Sequence, residues 1–381
     1  MYIKDVVDTE EKLAALLPKL GAAEWIAVDT EADSLHAYPE KLCLIQLSIE
    51  GLDTMVDPLA GLDLSPLFAI LKDHELILHG ADYDLRLLRK TYGFVPGAIF
   101  DTMIAARLAG AREFGLVHLV AKYLGVVLEK GPQKANWGRR PLTERMITYA
   151  CNDTRYLKPL TDILRAELES TGRLSWQQES CLRLINDCAN FRPLDPDLMW
   201  RVKGSHNLDP RGLAMLRELW HWREKEAVKF SRPPHFVLPA EAMVDIAEAS
   251  AESGPLKEIL PRHLTPRRKA EILKAIKKGL SQENLPGIVR SAPYRQSEAE
   301  KKRMHDLERI RNRRATELGI DPTLIASRAM LVLLAKNWAS HESELMNWQK
   351  KLLAEEPTAD ADEAPTPAQT RRLTAGLPGS P

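Results

Sequence analysis

Trp25-Ile-Ala-Val-Asp29-Thr-Glu31 is the stretch on which the fold turns. An apolar run ends there in two carboxylates with one residue between them. Alternate side chains of a strand share a face, so Asp29 and Glu31 would project toward one spot. Like charges so close need a cation. Two further acids of the same kind follow. Asp84, in Leu78-His-Gly-Ala-Asp-Tyr-Asp84, comes just after an apolar strand candidate at Leu76–Leu78 and at the start of a helical pattern. Tyr149 and Asp153 then stand four apart, a spacing that places phenol and carboxylate on one face of a helix.

Around these motifs residues 1–170 read as alternating strands and helices. Trp25–Asp29, Leu42–Ile49, Met55–Asp57 and Glu75–His79 are expected strands; Ser65–Lys72 and Asp82–Tyr92 are expected helices. The alternation implies α/β architecture. Short connections among the first three strands favour hairpins, hence a mixed sheet. Beyond Thr143 the pattern is helical almost throughout, with one long amphipathic run from Thr143 to about Ser170 and another from Leu174 to Ala189.

With 381 residues and 44% hydrophobic content, the chain can bury a large core and should hold two or three domains. The start carries acids where a signal peptide needs a basic flank, and no apolar run approaches the roughly 20 residues of a membrane span. A cytoplasmic protein with no membrane partner is therefore expected. Cys43, Cys151, Cys181 and Cys188 form no Cys-x-x-Cys pair, which points to buried thiols rather than a zinc or disulfide framework. The net charge of zero hides an asymmetry. Residues 1–60 hold 12 Asp and Glu against 4 Lys, a net of −8, whereas residues 261–314 hold 16 Lys and Arg against 6 acids, a net of +10. An acidic centre and a basic region elsewhere suit a nuclease that holds cations at one place and phosphates at others. A solvated basic helix surface is the competing reading of the second segment.

Asp-x-Glu, a helix-start Asp and Tyr-x-x-x-Asp, in that order, resemble the three exonuclease motifs of the DEDD nucleases, tyrosine subtype. The likeness extends to Tyr38-Pro-Glu-Lys-Leu-Cys-Leu-Ile-Gln-Leu, Phe100-Asp-Thr-Met-Ile-Ala-Ala-Arg-Leu, Gly115-Leu-Val-His-Leu, Tyr123-Leu-Gly-Val and Gln133-Lys-Ala-Asn-Trp-Gly-Arg-Arg-Pro-Leu-Thr, all similar to bacterial ribonuclease D. It covers residues 1–285 and, more weakly, the chain to about 353. The resemblance implies a ribonuclease H-like exonuclease domain over residues 1–195. From Trp200 a small helical bundle is expected. Leu213, Leu216, Leu219, Trp222-Arg223, Ala227, Arg232-Pro233, Val237-Leu238 and Ile246-Ala247 resemble the helicase and ribonuclease D C-terminal (HRDC) domain, placed at 200–285.

A repeat follows at an offset of 88 residues. Leu219, Arg223, Ala227, Pro234, Val237, Met243, Ile246 and Ala247 meet Leu307, Arg311, Ala315, Pro322, Ile325, Leu331, Leu334 and Ala335. A second, degenerate HRDC-like domain is expected over 297–353. The tail 354–381, alternating Pro, Thr, Ala and acids, has too little apolar surface to fold and is expected to be disordered.

Phosphodiester cleavage needs an activated water, charge neutralisation and a stabilised leaving oxygen. Two divalent ions roughly 4 Å apart supply all three, and four carboxylates can hold them. All-oxygen ligation suits Mg²⁺ or Mn²⁺ better than zinc. The resemblance assigns Asp29, Glu31, Asp84 and Asp153 as ligands, Asp29 bridging. Tyr149 matches the subtype's tyrosine. An ordinary phenol pKa of about 10 makes it a poor base, so its hydroxyl is expected to orient a water. His79, Gln46, Lys134, Trp137, Arg139 and Arg140 are candidate substrate contacts, with a structural hydrogen bond competing for His79 and internal satisfaction for Gln46. In the loop that carries Lys134 to Arg140 an aromatic could stack on a base and cations could meet phosphates. The resemblance thus implies a 3′→5′ exoribonuclease trimming structured RNAs such as transfer RNA precursors and releasing nucleoside 5′-monophosphates. A DNA exonuclease of the same superfamily and a nucleic-acid-binding scaffold are the alternatives, the second disfavoured by the full set of acids. The HRDC region could bind proteins as well as RNA.

Overall fold

The computed structural model describes residues 6–129, 131–191, 195, 197–251, 260–261, 264–287 and 295–354. The chain divides into two compact units, residues 1–294 and 295–381.

Unit one is built on a six-stranded sheet: β1 (Val6–Val7), β2 (Ile26–Ala32), β3 (Leu42–Ile49), β4 (Leu52–Val56), β5 (Glu75–Leu78) and β6 (Ala98–Asp101), ordered β1-β4-β3-β2-β5-β6. The pairs β2–β3 and β3–β4 are antiparallel hairpins, and β1–β4, β2–β5 and β5–β6 are parallel. The sheet is mixed for the reason the short connections implied. The short strands β1 and β6, at the two edges of the sheet, were not anticipated.

All eight residues of β3 are buried, because helices cover both faces. One face packs on α1 (Glu10–Gly21), α2 (Ser65–Lys72), α3 (Asp82–Tyr92) and α8 (Leu174–Ala189), around Leu16, Ile26, Val28, Ile45, Leu47, Leu88 and Ile185. The other meets α6 (Glu144–Arg155) and α7 (Leu157–Ser170): Cys43, Leu44 and Met55 pack on Met146, Ala150 and Cys151, while Ala27 and Ile77 pack on Leu157. Two short helices, α4 (Thr102–Leu108) and α5 (Leu116–Leu119), complete the core of the domain.

Two differences from the sequence expectation matter for the site. The strand does not stop at Asp29 but continues to Ala32, pairing Asp29 with Gln46 and Glu31 with Leu44, so both acids are held by sheet backbone. The expected single helix from Thr143 to Ser170 is two helices with Tyr156 between them, at φ −93° and ψ −2°. Pro159 explains the break. Its ring would clash with the carbonyl of the residue four before it, Arg155, which is where α6 ends.

The rest of unit one is helical. Asp209 caps α9 (Pro210–Lys229) by accepting from Gly212 N at 2.6 Å, with Pro210 at the first helical position. Helices Pro234–Val237, Ala240–Ala251 and Pro266–Leu280 close a bundle around Leu213, Leu216, Leu219, Met243, Ile246 and Ile272. The bundle touches the exonuclease region where the Tyr38 hydroxyl donates to Glu224 on α9.

Unit two repeats this order of elements. Helix Glu298–Leu318 carries Leu307, Arg311 and Ala315; Pro322 opens a four-residue helix as Pro234 does; and Arg328–Lys336 carries Leu331, Leu334 and Ala335, all buried. Arg223 and Arg311, both 8% exposed, each lie inside their bundle. Arg311 donates to the Ala326 carbonyl at 3.1 Å and is held beside Glu308 and Asn312. The expectation for the tail lies outside the described residues, save Ala354, which ends helix Asn347–Ala354. All four cysteines are buried and free, and no described helix is long and apolar enough to cross a membrane.

Candidate metal centre and nucleic-acid cleft

A cavity of about 1070 Å³ opens beside the end of β2, lined by Asp29, Glu31, Asp84, Tyr149 and Asp153 together with His79 and Lys134. Three different elements deliver the acids. Asp29 and Glu31 come from alternate positions of β2, Asp84 from the first turn of α3, and Asp153 from α6, one turn after Tyr149. Asp29, Glu31 and Asp153 each offer a carboxylate oxygen within 4.8 Å of the other two. Asp84 is held from the side: the hydroxyl of Thr30, the residue between the paired acids, donates to its Oδ1.

Burial dominates the electrostatics of this cluster, and mutual repulsion adds to it. Glu31 is pushed up to about 9, with Asp153 and Asp84 the repelling neighbours. Asp153 rises to about 7, partly offset by a hydrogen bond from the Tyr149 hydroxyl. Asp84 rises to about 6 against the opposing pull of Thr30. Asp29, buried among the other three, lies well above the carboxylate range. Burial and the Asp153 charge also push the Tyr149 phenol far above its ordinary value, so it is protonated at neutral pH and acts as a donor. A dense set of acids that must otherwise hold protons, with oxygen donors alone, fits a hard divalent cation.

The turn carrying His79 and leading into α3 is fixed by Asp101, a residue the sequence reading did not single out. Its buried carboxylate accepts from Gly80 N at 3.1 Å, Ala81 N at 2.8 Å, Met103 N at 2.8 Å and Ile104 N at 3.2 Å. Thr102 Oγ1 gives its proton to the Leu78 carbonyl at 3.1 Å, so it accepts from His79 Nδ1–H at 2.8 Å. His79 Nε2 is then left as an acceptor. Desolvation lowers the pKa of the ring, which keeps it neutral.

The loop before α6 divides its residues between two jobs. Lys134 lines the cavity and is exposed, as is Arg139. Trp137 and Arg140, expected to meet substrate, do not present themselves to it. Trp137 is 1% exposed, packed with Cys43, Leu44 and Met55, its ring centroid 6.1 Å from that of Tyr149. A buried indole cannot stack on a base; it backs the phenol. Arg140 grips Asp57 with Nε and Nη2, at 2.5 and 2.7 Å; Nη2 also donates to the Cys43 carbonyl, and Nη1 donates to those of Trp137 and Arg139. That fork ties the loop to the sheet, and no donor pair is left for phosphate. Gln46 is fully buried and does not line the cavity. Its side chain therefore cannot touch substrate.

Gly131 and Gln133 were also missed. A side chain at 131 would place its Cβ 1.6 Å from the Tyr149 ring, so only glycine lets the loop lie against that ring. Gln133 hydrogen-bonds the phenol. Leu116, Val117 and Leu128 give the cavity an apolar wall. No charge pattern marks them in the sequence.

Residues 5–169 match the family described as 3′-5′ exonuclease, and residues 212–261 match the HRDC domain. Fold and site thus define a 3′→5′ exonuclease of the DEDD type carrying an HRDC domain. Ribonuclease D of Granulibacter bethesdensis is 30% identical over 93% of this chain and 91% of its own length, and that of Desulfotalea psychrophila 29% over 93% and 97%. With ribonuclease D of Gluconacetobacter diazotrophicus the identity is 35%, over 64% of this chain and 62% of that protein. The crystal structure of Escherichia coli RNase D, described as an exoribonuclease involved in structured RNA processing, superposes with a TM-score of 0.70 at 26% identity, covering 93% of this chain and 99% of that one. The chain belongs to the ribonuclease D family, and its exonuclease domain is that of a 3′→5′ exoribonuclease.

Proposed function

We propose that the chain trims the 3′ ends of structured RNAs, transfer RNA precursors among them, in the cytoplasm, releasing nucleoside 5′-monophosphates. The observation that carries this reading is the convergence of four carboxylates and a protonated tyrosine on one cavity. Asp29, Glu31, Asp84 and Asp153 would hold two divalent ions, Mg²⁺ or Mn²⁺. When bound, such a pair neutralises the phosphate, acidifies a water and stabilises the leaving 3′ oxygen.

The chain's own groups do the rest. Tyr149, donating through its hydroxyl and backed by Trp137 and Gly131, orients the attacking water; with its phenol protonated at neutral pH it does not remove the proton itself. Lys134, and Arg139 beside it, supply positive charge for the backbone of the strand. His79 Nε2 accepts from a sugar hydroxyl, and the Leu116–Val117–Leu128 wall receives the terminal base. The bundle over 200–285 and the related unit over 297–353 add basic surface for the body of the RNA, the alternative being that they hold a protein partner.

Labelled transfer RNA precursor incubated with Mg²⁺ tests the reading. Stepwise 3′ shortening should stop in EDTA and in Asp29→Asn, with unchanged circular dichroism. Faster digestion of DNA than of RNA of the same sequence would favour the DNA exonuclease instead.

A further inference from the structure

Gln46 is 0% exposed, and neither Nε2 nor Oε1 has a hydrogen-bond partner among the described residues. A buried amide left in that state is destabilising, a cost that a Leu or Met in the same place would not incur. The register limits what the amide can serve. In the antiparallel ladder its cross-strand neighbours are Asp29 on β2 and Met55 on β4. Directly opposed residues on one face have Cβ atoms about 4.5–5.5 Å apart, within reach of a glutamine amide. Trp137 Nε1, in the cluster that holds Leu44 and Met55, is likewise unpaired among the described residues, but it is a donor and can serve only Oε1. Several other polar groups nearby are engaged. Ser48 Oγ, two residues along the same face, donates to Asp53 or Thr154, at 2.7 Å each. Asp53 is held by Arg155 and Asp57 by Arg140. Asp29 alone stands directly opposite, in the floor of the cavity.

We propose that Gln46 is a positioning residue of the acidic centre: with a divalent ion bound, its Nε2–H donates to the Asp29 carboxylate and fixes which oxygen faces the ion. The inference rests on the reading of Asp29 as a metal ligand. A hydrogen bond to an ionised carboxylate is roughly twice as strong as a neutral one, so the contact forms as the ion arrives. Outer partners of this kind typically contribute about 10–100-fold in metal affinity.

Calorimetric titration of the full-length protein with Mn²⁺ alone, without RNA, tests this alongside thermal melting in EDTA. Gln46→Met should bind Mn²⁺ at least about 10-fold more weakly than wild type, while melting in EDTA at the same or a higher temperature. Gln46→Asn, which keeps the amide but withdraws it, should fall between the two. Equal Mn²⁺ affinity in all three proteins would overturn the proposal and leave Gln46 a packing residue. A lower melting temperature for Gln46→Met in EDTA would equally overturn it, because the amide would then have a partner without the ion. Asp29→Asn separates the two levels of the argument: if wild type and Asp29→Asn bind Mn²⁺ alike, the metal reading of the cavity fails and the proposal with it.

Discussion

Cation binding at the acidic centre should expel protons, in a number that follows from the site. At pH 7 the cation-free protein holds a proton on Glu31, pushed up to about 9, and burial with mutual repulsion raises Asp153, Asp84 and Asp29 as well, so further protons are shared among them. Metal ligands must be deprotonated, so saturation at pH 7 should release at least about one proton. The same release sets the pH dependence of affinity, at least about tenfold tighter Mn²⁺ binding per pH unit near neutrality. The sign for stability runs the other way. A carboxyl whose folded value is raised holds a proton that the unfolded chain has lost, so its contribution is present at low pH and lost as pH climbs through 6, 7 and 9. The cation-free protein should therefore lose stability across that window, and the gain from Mn²⁺ should grow. Calorimetry in buffers of different ionisation enthalpy reads the proton count directly. A slope near zero at pH 7 would mean that the four acids are already ionised without a cation, and that burial and mutual repulsion do not govern their protonation.

Tyr149→Phe should lower the single-turnover rate with Mg²⁺ by about 100-fold or more while leaving RNA affinity within twofold; a variant that also lost the pH dependence of the rate would make the phenol the base. Trp137→Ala should cost about 3–5 kcal/mol of stability in urea, as expected for a buried aromatic, and a change confined to RNA affinity would restore the stacking role. Removing residues 295–381 should flatten the dependence of log affinity on log salt by about 0.7–0.9 for each phosphate that the unit neutralises; an unchanged slope would point to a protein partner for that unit.

Four of the six strands and helices α2, α3 and α8 were legible because their signals are local: the apolar run into Asp29 and Glu31 at β2, the helical spacing in α3 and α8. Asp29 and Glu31 were readable as a pair since a strand aligns alternate residues, and Tyr149 with Asp153 since a helix aligns every fourth. What escaped depends on contacts distant in sequence. The break at Tyr156 is the exception: Pro159 marks it locally, through its clash with Arg155, and the reading of one run to Ser170 passed over it. Trp137 and Arg140 looked like substrate groups because a loop rich in glycine and proline resembles an exposed one. Nothing local says that Asp57, 83 positions earlier, claims the guanidinium. Thr30, Asp101 and Gly131 act on neighbours fixed only by the tertiary fold.

The bond from Tyr38 to Glu224 makes the helical bundle part of the catalytic domain's own wall. The loop between β2 and β3 is fastened on the exonuclease side by Tyr83 and Lys90, which donate to Glu40 at 3.1 and 3.0 Å. On the bundle side it is anchored by Tyr38, whose phenol is pushed up to about 12 by burial and by Glu224. The two regions are therefore not interchangeable beads on a string. A chimera that keeps residues 1–195 and borrows another bundle would inherit a half-buried hydroxyl with no acceptor, unless the donor sequence supplies a carboxylate at the matching turn of its first long helix.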